Sequence, residues 1–197
     1  ALQDITPLRT LHLQGQRDFG GFSGPLPSFR KSPHLHDIDL SHNSLTGNIS
    51  DSFLETVRKS DNRTDYAYPR IILSHNMITG KIPADWDDFV GLFMDLAANQ
   101  ITEVPDDLCD DDYEFQNFLI RNLTENKCDA ILCRPGYYSD VGRQTEVDVP
   151  CFKCPEGTTS RLYGSLTCES ESGERAILDK IYELIFTHAS ADQYWGT

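Results

Sequence analysis

Three nine-residue stretches of this chain end in asparagine and share one spacing of apolar positions: Leu35–Asn43, Tyr68–Asn76 and Gly91–Asn99. The first two close on Leu-Ser-His-Asn, the third on Leu-Ala-Ala-Asn. Each is followed two positions on by an apolar residue (Leu45, Ile78, Ile101), then by a tail: Gly47-Asn48-Ile49, Gly80-Lys81-Ile82-Pro83 or Glu103-Val104-Pro105. A pattern that returns along a chain means stacked copies of one small unit, because a unit this short cannot bury its apolar face alone. Within each copy the alternating apolar residues belong on a short strand and point into the core, while the residues between them face out along the concave side. The asparagine has a different task. Its amide can bond the backbone of a neighbouring turn, where no regular ladder exists. Stacking would set Asn43, Asn76 and Asn99 in one column.

A fourth copy lies upstream. Leu8-Arg9-Thr10-Leu11-His12-Leu13 fits the strand and Phe22-Ser23-Gly24-Pro25-Leu26-Pro27 fits the tail, with about four extra residues around Gln16 to Gly20 and no asparagine. The tail residues Phe22, Leu45, Ile78 and Ile101 are spaced 23, 33 and 23. The period is thus 23 to 24, with roughly ten residues inserted after Phe53 and ending near Tyr66. The insertion Glu55–Asp65 is polar and charged, as a solvated loop should be. The L-T-G-x-I-P tail resembles the plant-type leucine-rich repeat, and the resemblance covers residues 1–108. It implies an α/β leucine-rich repeat solenoid of about four repeats, with short parallel strands and an irregular or 3-10 convex side. Such a fold works through a surface and not through a catalytic pocket.

The 197 residues carry 31 acidic against 17 basic side chains. Nucleic acid is therefore excluded as a partner, since binding phosphates needs a basic footprint. An anionic membrane surface is excluded on the same ground. No run approaches the roughly 18 apolar residues of a spanning helix, so no direct membrane insertion is expected in this segment. No signal peptide is visible at Ala1, so one would have been removed or lies outside the sequence. The six cysteines all fall after residue 108: Cys109, Cys128, Cys133, Cys151, Cys154 and Cys168. Zinc is a weak alternative, because Cys151-Phe152-Lys153-Cys154 is a lone C-x-x-C and no histidine falls in the block. A disulfide framework made in an oxidising compartment is the better reading, although six cysteines allow fifteen pairings. Three acceptor triplets for N-linked glycans, at Asn48, Asn62 and Asn122, point the same way. The chain is expected to be extracellular, either secreted or on the cell surface.

The second half resembles two further kinds of piece. Pro105–Cys109 and Phe118–Cys128 look like the C-terminal cap of a leucine-rich repeat array, assigned to residues 109–132; this implies a Cys109–Cys128 bond. Cys133-Arg134-Pro135-Gly136-Tyr137-Tyr138-Ser139 and Cys154-Pro155-Glu156-Gly157-Thr158-Thr159-Ser160 are two copies of one motif. They are similar to the small cysteine-rich modules of ephrin-receptor and tumour-necrosis-factor-receptor type, here residues 133–168. That resemblance implies local pairing, Cys133–Cys151 and Cys154–Cys168. Residues 169–197 then read as an amphipathic C-terminal helix, with Ser172 as N-cap and Ile177, Leu178, Ile181, Leu184 and Ile185 at helical spacing. With Trp195 downstream, this segment resembles the N-terminal cap of a following repeat array. Arrays of this make-up resemble those of surface proteins of stramenopile algae.

No G-x-S-x-G, H-E-x-x-H, phosphate loop or dinucleotide fingerprint occurs, and no enzyme activity or bound cofactor is expected beyond N-linked glycans. His42 and His75 hold the same place in adjacent repeats and would stack about 5 Å apart by strand spacing, which suggests a pH effect more than a metal pair. The acidic residues Asp110, Asp111 and Asp112 are weak calcium candidates; such runs are usually only solvated. The concave face should display Arg9, Thr10, His12, Asp37, Asp39, Arg70, Ile72, Phe93 and Asp95, a mixed-charge surface suited to a protein or a glycan. The reading is a non-catalytic extracellular interaction or structural unit, a repeating piece of a larger glycosylated surface or fibre-forming protein with protein partners, self-assembly included. The alternative is the ectodomain of a receptor or adhesion protein that binds its ligand on the concave face.

Overall fold

The computed structural model describes residues 7–15, 21–58, 69–89, 91–109, 126–146 and 148–171. The repeat region forms eight strands: β1 (Thr10–His12), β2 (Ser23–Pro25), β3 (Asp37–Asp39), β4 (Ser44–Asn48), β5 (Arg70–Ile72), β6 (Met77–Lys81), β7 (Phe93–Asp95) and β8 (Gln100–Glu103). They make two parallel sheets, an inner one in the order β1-β3-β5-β7 and an outer one in the order β2-β4-β6-β8. This is a leucine-rich repeat-type fold. In the inner sheet the central residues align as Leu11, Ile38, Ile71 and Met94 and are buried. Their neighbours on each strand stay at least partly exposed, the half-buried alternation expected of a strand with one wet face.

The outer sheet was not anticipated. The sequence pattern predicts one set of short parallel strands and an irregular or 3-10 convex side, whereas the tails are also extended and pair from repeat to repeat. An extended tail has no hydrogen-bond partner within its own repeat, so its amides and carbonyls must find the next one. Gly24, Gly47 and Gly80 bend each tail back towards the convex side at φ of 94°, 80° and 85°, a conformation that glycine reaches without the steric cost of a Cβ. Among the described residues the convex side holds an α-helical turn, α1 (Glu55–Arg58), and 3-10 turns at Ala84–Asp88 and Asp106–Cys109. Between this side and the sheets, Phe29, Phe53 and Trp86 stack as an aromatic column, with ring centroids 6.1 Å and 5.7 Å apart. All three are fully buried. Trp86 Nε1 is the one buried side-chain polar atom among the described residues that lacks a hydrogen-bond partner.

The asparagine column joins each repeat to the one before it. Asn76 Oδ1 accepts from the amide of Leu45 at 3.0 Å, and its Nδ2 donates to the carbonyls of Leu40 (2.9 Å), Leu73 (3.0 Å) and Ser74 (3.3 Å). Asn99 does the same for Ile78 and Leu73, and Asn43 for Phe22 and Leu13. The residue before each asparagine (His42, His75, Ala98) is left-handed, at φ of 55°, 57° and 54°. Histidine tolerates that region better than most side chains. The amide of each of these turn residues bonds the following repeat: His42 to Ser74 O at 3.0 Å and His75 to Ala97 O at 2.9 Å.

After the last repeat the cysteine-rich residues continue this pattern. The disulfides are Cys109–Cys128, Cys133–Cys151 and Cys154–Cys168. Asn126 caps a 3-10 turn, Lys127–Ala130, by accepting from Cys128 N. Two small hairpins follow, β9 (Tyr137–Tyr138) with β10 (Phe152–Lys153) and β11 (Thr158–Thr159) with β12 (Glu169–Ser170). Ala98 N donates to Gly164 O at 3.0 Å, where a further repeat would have offered its turn carbonyl, and Tyr163 N donates to Ile101 O at 3.0 Å. Ile131 and Leu132 join the apolar core of the array. The approach is close enough to demand glycine at two places. A Cβ on Gly164 would lie 2.7 Å from Leu132 Cδ2, and one on Gly142 would lie 2.6 Å from Ala97 Cβ. Inside this segment the mostly buried Asp129 carboxylate accepts from Arg134 N at 3.2 Å and pairs with the Arg134 guanidinium. Burial still pushes its pKa up. The first residues of the helix expected over 169–197 are not helical, since Glu169–Ser170 form β12 held by the hairpin with β11; the rest of that segment, the acceptor sites Asn62 and Asn122, the acidic run from Asp110 to Asp112, and most of the insertion after Phe53 lie outside the described residues.

Two measurements probe this architecture. Asn76→Ala leaves the buried Leu45 amide without its acceptor, while the carbonyls of Leu40, Leu73 and Ser74 keep their bonds from Asn43, Asn99 and His42; an unpaired buried amide costs about 1–3 kcal/mol, and a loss of about 2 kcal/mol would lower the melting temperature by roughly 4–8 °C in a chain of this size. An unchanged melting curve would show that the column does not join the repeats. Gly164→Ala should destabilise far more than Gly157→Ala. Both glycines are left-handed, at φ of 74° and 78°, but only Gly164 meets atoms of the array. Equal urea midpoints for the two variants would argue against close docking of the cysteine-rich residues.

Candidate interaction surface on the inner sheet

The inner sheet turns two columns of side chains outward. Strand register aligns Thr10, Asp37, Arg70 and Phe93 in one, and His12, Asp39, Ile72 and Asp95 in the other. Parallel strands lie about 4.8 Å apart, so neighbours in a column touch. Asp37 is the junction. His12 Nε2 lies 3.0 Å from its Oδ2 and Arg70 NH1 3.1 Å from its Oδ1. Partial burial pushes the Asp37 carboxyl up, but hydrogen bonds and charge from His12 and Arg70 outweigh this and hold its pKa below the ordinary carboxylate value. Arg70 also reaches towards Asp39, at 3.9 Å. His12 and Arg70 are 42% and 41% exposed, so this cluster stands in water and not in a pocket.

Two of the acidic residues expected on the surface have backbone work. Asp39 Oδ1 accepts from Ser41 N at 3.1 Å and from Ser41 Oγ at 2.7 Å; Asp95 Oδ1 accepts from Ala97 N at 3.1 Å. Each ends its strand with an Asx-type turn, in which a short carboxylate takes the place of a backbone carbonyl. The local spelling Asp-Leu-Ser or Asp-Leu-Ala carried that signal. Ile72 sits between these two carboxylates in register. Arg9 is exposed just before β1, and its carbonyl accepts from His36 N at 3.0 Å. Phe93 is covered in part by a residue that sequence reasoning missed: the Arg143 guanidinium lies 5.4 Å from the ring centroid. Arg143 belongs to the cysteine-rich segment, and nothing in the local sequence links it to Phe93.

His42 and His75 stack with centroids 4.2 Å apart and planes 12° from parallel. Imidazole lone pairs lie in the ring plane, so parallel rings in this arrangement cannot aim both nitrogens at one ion. Among the described residues no group of three or more His, Cys, Asp or Glu is placed to hold a metal. On the convex side Asp87 stands beside Asp88, Asp107 and Asp85. Burial and those neighbouring charges push its pKa up.

Residues 34–55 match the Leucine Rich Repeat family. Among solved structures the chain is similar to a pollen receptor kinase 3, at 36% identity over 53% of this chain and 45% of that one, TM-score 0.42. It is also similar to the BIR2 ectodomain from Arabidopsis thaliana, at 25% identity over 58% and 56%, TM-score 0.44. A third is the LRR ectodomain of the plant membrane receptor kinase GASSHO1/SCHENGEN3 from Arabidopsis thaliana in complex with CASPARIAN STRIP INTEGRITY FACTOR 2, at 34% identity over 46% and 10%, TM-score 0.37. The chain spans less than two thirds of the length of each of these proteins. No curated protein matches it. Residues 34–55 are thus a leucine-rich repeat, and the inner-sheet strand of that repeat has counterparts at Thr10–His12, Arg70–Ile72 and Phe93–Asp95.

Proposed function

We propose that this chain is an extracellular, non-catalytic protein-interaction module whose contact surface is the outward face of the inner sheet. The observation that carries this reading is the arrangement of that face. A charge cluster of His12, Asp37 and Arg70 adjoins partly exposed Ile72 and Phe93, with Arg143 at the far end. Interfaces combine apolar and aromatic contact with a few oriented charges, and Arg is enriched in them. The three disulfides support an oxidising compartment, since such bonds form and persist there. Secreted and surface-attached forms fit equally. The ligand class is protein first and glycan second, because among the described residues the strands of this face turn one six-membered aromatic ring, Phe93, outward and not a stack of them.

A second reading is a building unit of a larger surface or fibre-forming protein. It rests on the order of pieces in the sequence, in which a segment resembling an N-terminal repeat cap follows the cysteine-rich residues. Against direct stacking of arrays stands Gly164, which bonds the last repeat where another repeat would. The two readings differ in what light scattering measures. Concentration-independent monomers support the binding module, and filaments or ladders of oligomers favour the building unit. For the surface itself, the test is saturable binding to the cell-surface fraction of the source organism. The double variant Ile72→Glu/Phe93→Glu should lose at least tenfold in affinity, and Gln100→Glu on the outer sheet should bind like wild type. Equal loss in both variants, or in neither, would dispose of the inner face as the contact surface.

The charge cluster also predicts an acid response. A carboxyl whose pKa is lowered in the folded state contributes stability above its unfolded value of about 4 and loses it as pH falls through the lowered one. Asp37→Asn should therefore unfold at lower urea than wild type at pH 7, with the gap closing as pH falls below the ordinary carboxylate value. A gap that persists unchanged in acid would mean that His12 and Arg70 do not stabilise the Asp37 charge.

A further inference from the structure

The acceptor triplet Asn48-Ile49-Ser50 falls on the outer sheet, and its geometry differs from that of every ladder asparagine. Asn43, Asn76 and Asn99 are buried, and each Nδ2 donates to three carbonyls. Asn48 ends β4 and is exposed, and so is Ser50, while Ile49 between them is anchored in the core. The Asn48 amide is held by one atom only: Thr79 Oγ1 donates to its Oδ1 at 2.8 Å. It lies flat across Gly80, where a Cβ would come within 2.9 Å of Oδ1. The neighbouring repeat thus fixes the carbonyl end of the amide and offers no side chain above it. Among the described residues Nδ2 of Asn48 has no hydrogen-bond partner. A substituent on Nδ2 would displace no bond of the folded chain.

We infer that Asn48 carries an N-linked glycan standing on the outer sheet, with Thr79 and Gly80 as the cradle for its linkage. In the transfer, Nδ2 forms a bond to C1 of the N-acetylglucosamine at the head of a lipid-diphosphate-linked oligosaccharide. The C1–oxygen bond to the diphosphate breaks, the lipid diphosphate departs as leaving group, and the amide nitrogen gives up one proton. The product is a secondary amide, kept planar by resonance, so Oδ1 still accepts from Thr79. In register, Asn48 is followed across the outer sheet by Thr79 and Gln100, and Met77, which is 40% exposed, lies two residues from Thr79 on the same strand. A glycan there stands on the outer sheet and leaves the inner sheet, which is a separate sheet, open to a partner. The inference rests on the extracellular reading above.

Secretion of the full chain from a eukaryotic host, followed by glycosidase release in heavy-oxygen water and peptide mapping, tests both. Asn48 should appear as heavy-labelled Asp in most copies. Ser50→Ala, which leaves the Asn48 amide and its Thr79 contact in place, should abolish the label. Ser50→Thr should restore it, which separates loss of the acceptor signal from loss of folding. Secreted, disulfide-bonded protein with label at Asn62 or Asn122 and bare Asn48 would overturn the Asn48 assignment and leave the extracellular reading standing. Secreted protein without label at any of the three would also overturn it. Protein that reaches the medium only with reduced cysteines would overturn both.

Discussion

Everything in the repeat region depends on the hydrogen bonds made by three buried asparagines. The inner strands are only three residues long, too short to hold repeats in register by themselves. At the end of each strand the backbone turns through a left-handed residue and leaves amides and carbonyls pointing between layers. Unpaired, these groups would make stacking unfavourable, since each costs about 1–3 kcal/mol when buried without a partner. One primary amide supplies an acceptor and two donors at the required spot, and no other small side chain offers that set without a charge. The apolar residues contribute most of the driving force. The asparagines determine that the layers stack at one spacing and in one register.

The same logic extends past the last repeat. The array ends in a turn whose amide and apolar residues need partners, and the disulfide-stapled residues meet both needs with Gly164, Tyr163, Ile131 and Leu132. A segment this short lacks enough apolar surface for a core of its own, so it relies on cross-links and on the core it docks against. Docking has a functional consequence, because it brings Arg143 over Phe93. The proposed interaction surface is therefore composite: eight of the expected side chains come from the strands, and a further contributor, Arg143, arrives from a segment about fifty residues downstream.

Much of this was legible in the amino-acid order. The alternation on each strand, the asparagine column and the outward residues all follow from a repeat whose every position has a single physical role. The outer sheet was not legible, because the tail residues Leu-Thr-Gly and Ile-Thr-Gly show no alternation that separates an extended pair from an irregular turn. Asp39 and Asp95 belong to the expected binding face; the Asp-Leu-Ser and Asp-Leu-Ala spellings also suit turn-capping, and the bend at residues 40–41 and 96–97 shows that they take that role. His42 and His75 were expected to stack, and do; only the near-parallel ring planes rule out a shared ion.

Sequence alone determined the layer: its apolar face, its turn asparagine and the side chains it shows to water, because these depend on contacts within one repeat and with an identical neighbour. Tertiary structure decided what happens where the identity of neighbours ends. The contact of Gly164 with Ala98 and the placement of Arg143 on Phe93 each join residues of unlike segments. No local spacing encodes such a pair, since the distance between its members is set by how the whole stack is assembled.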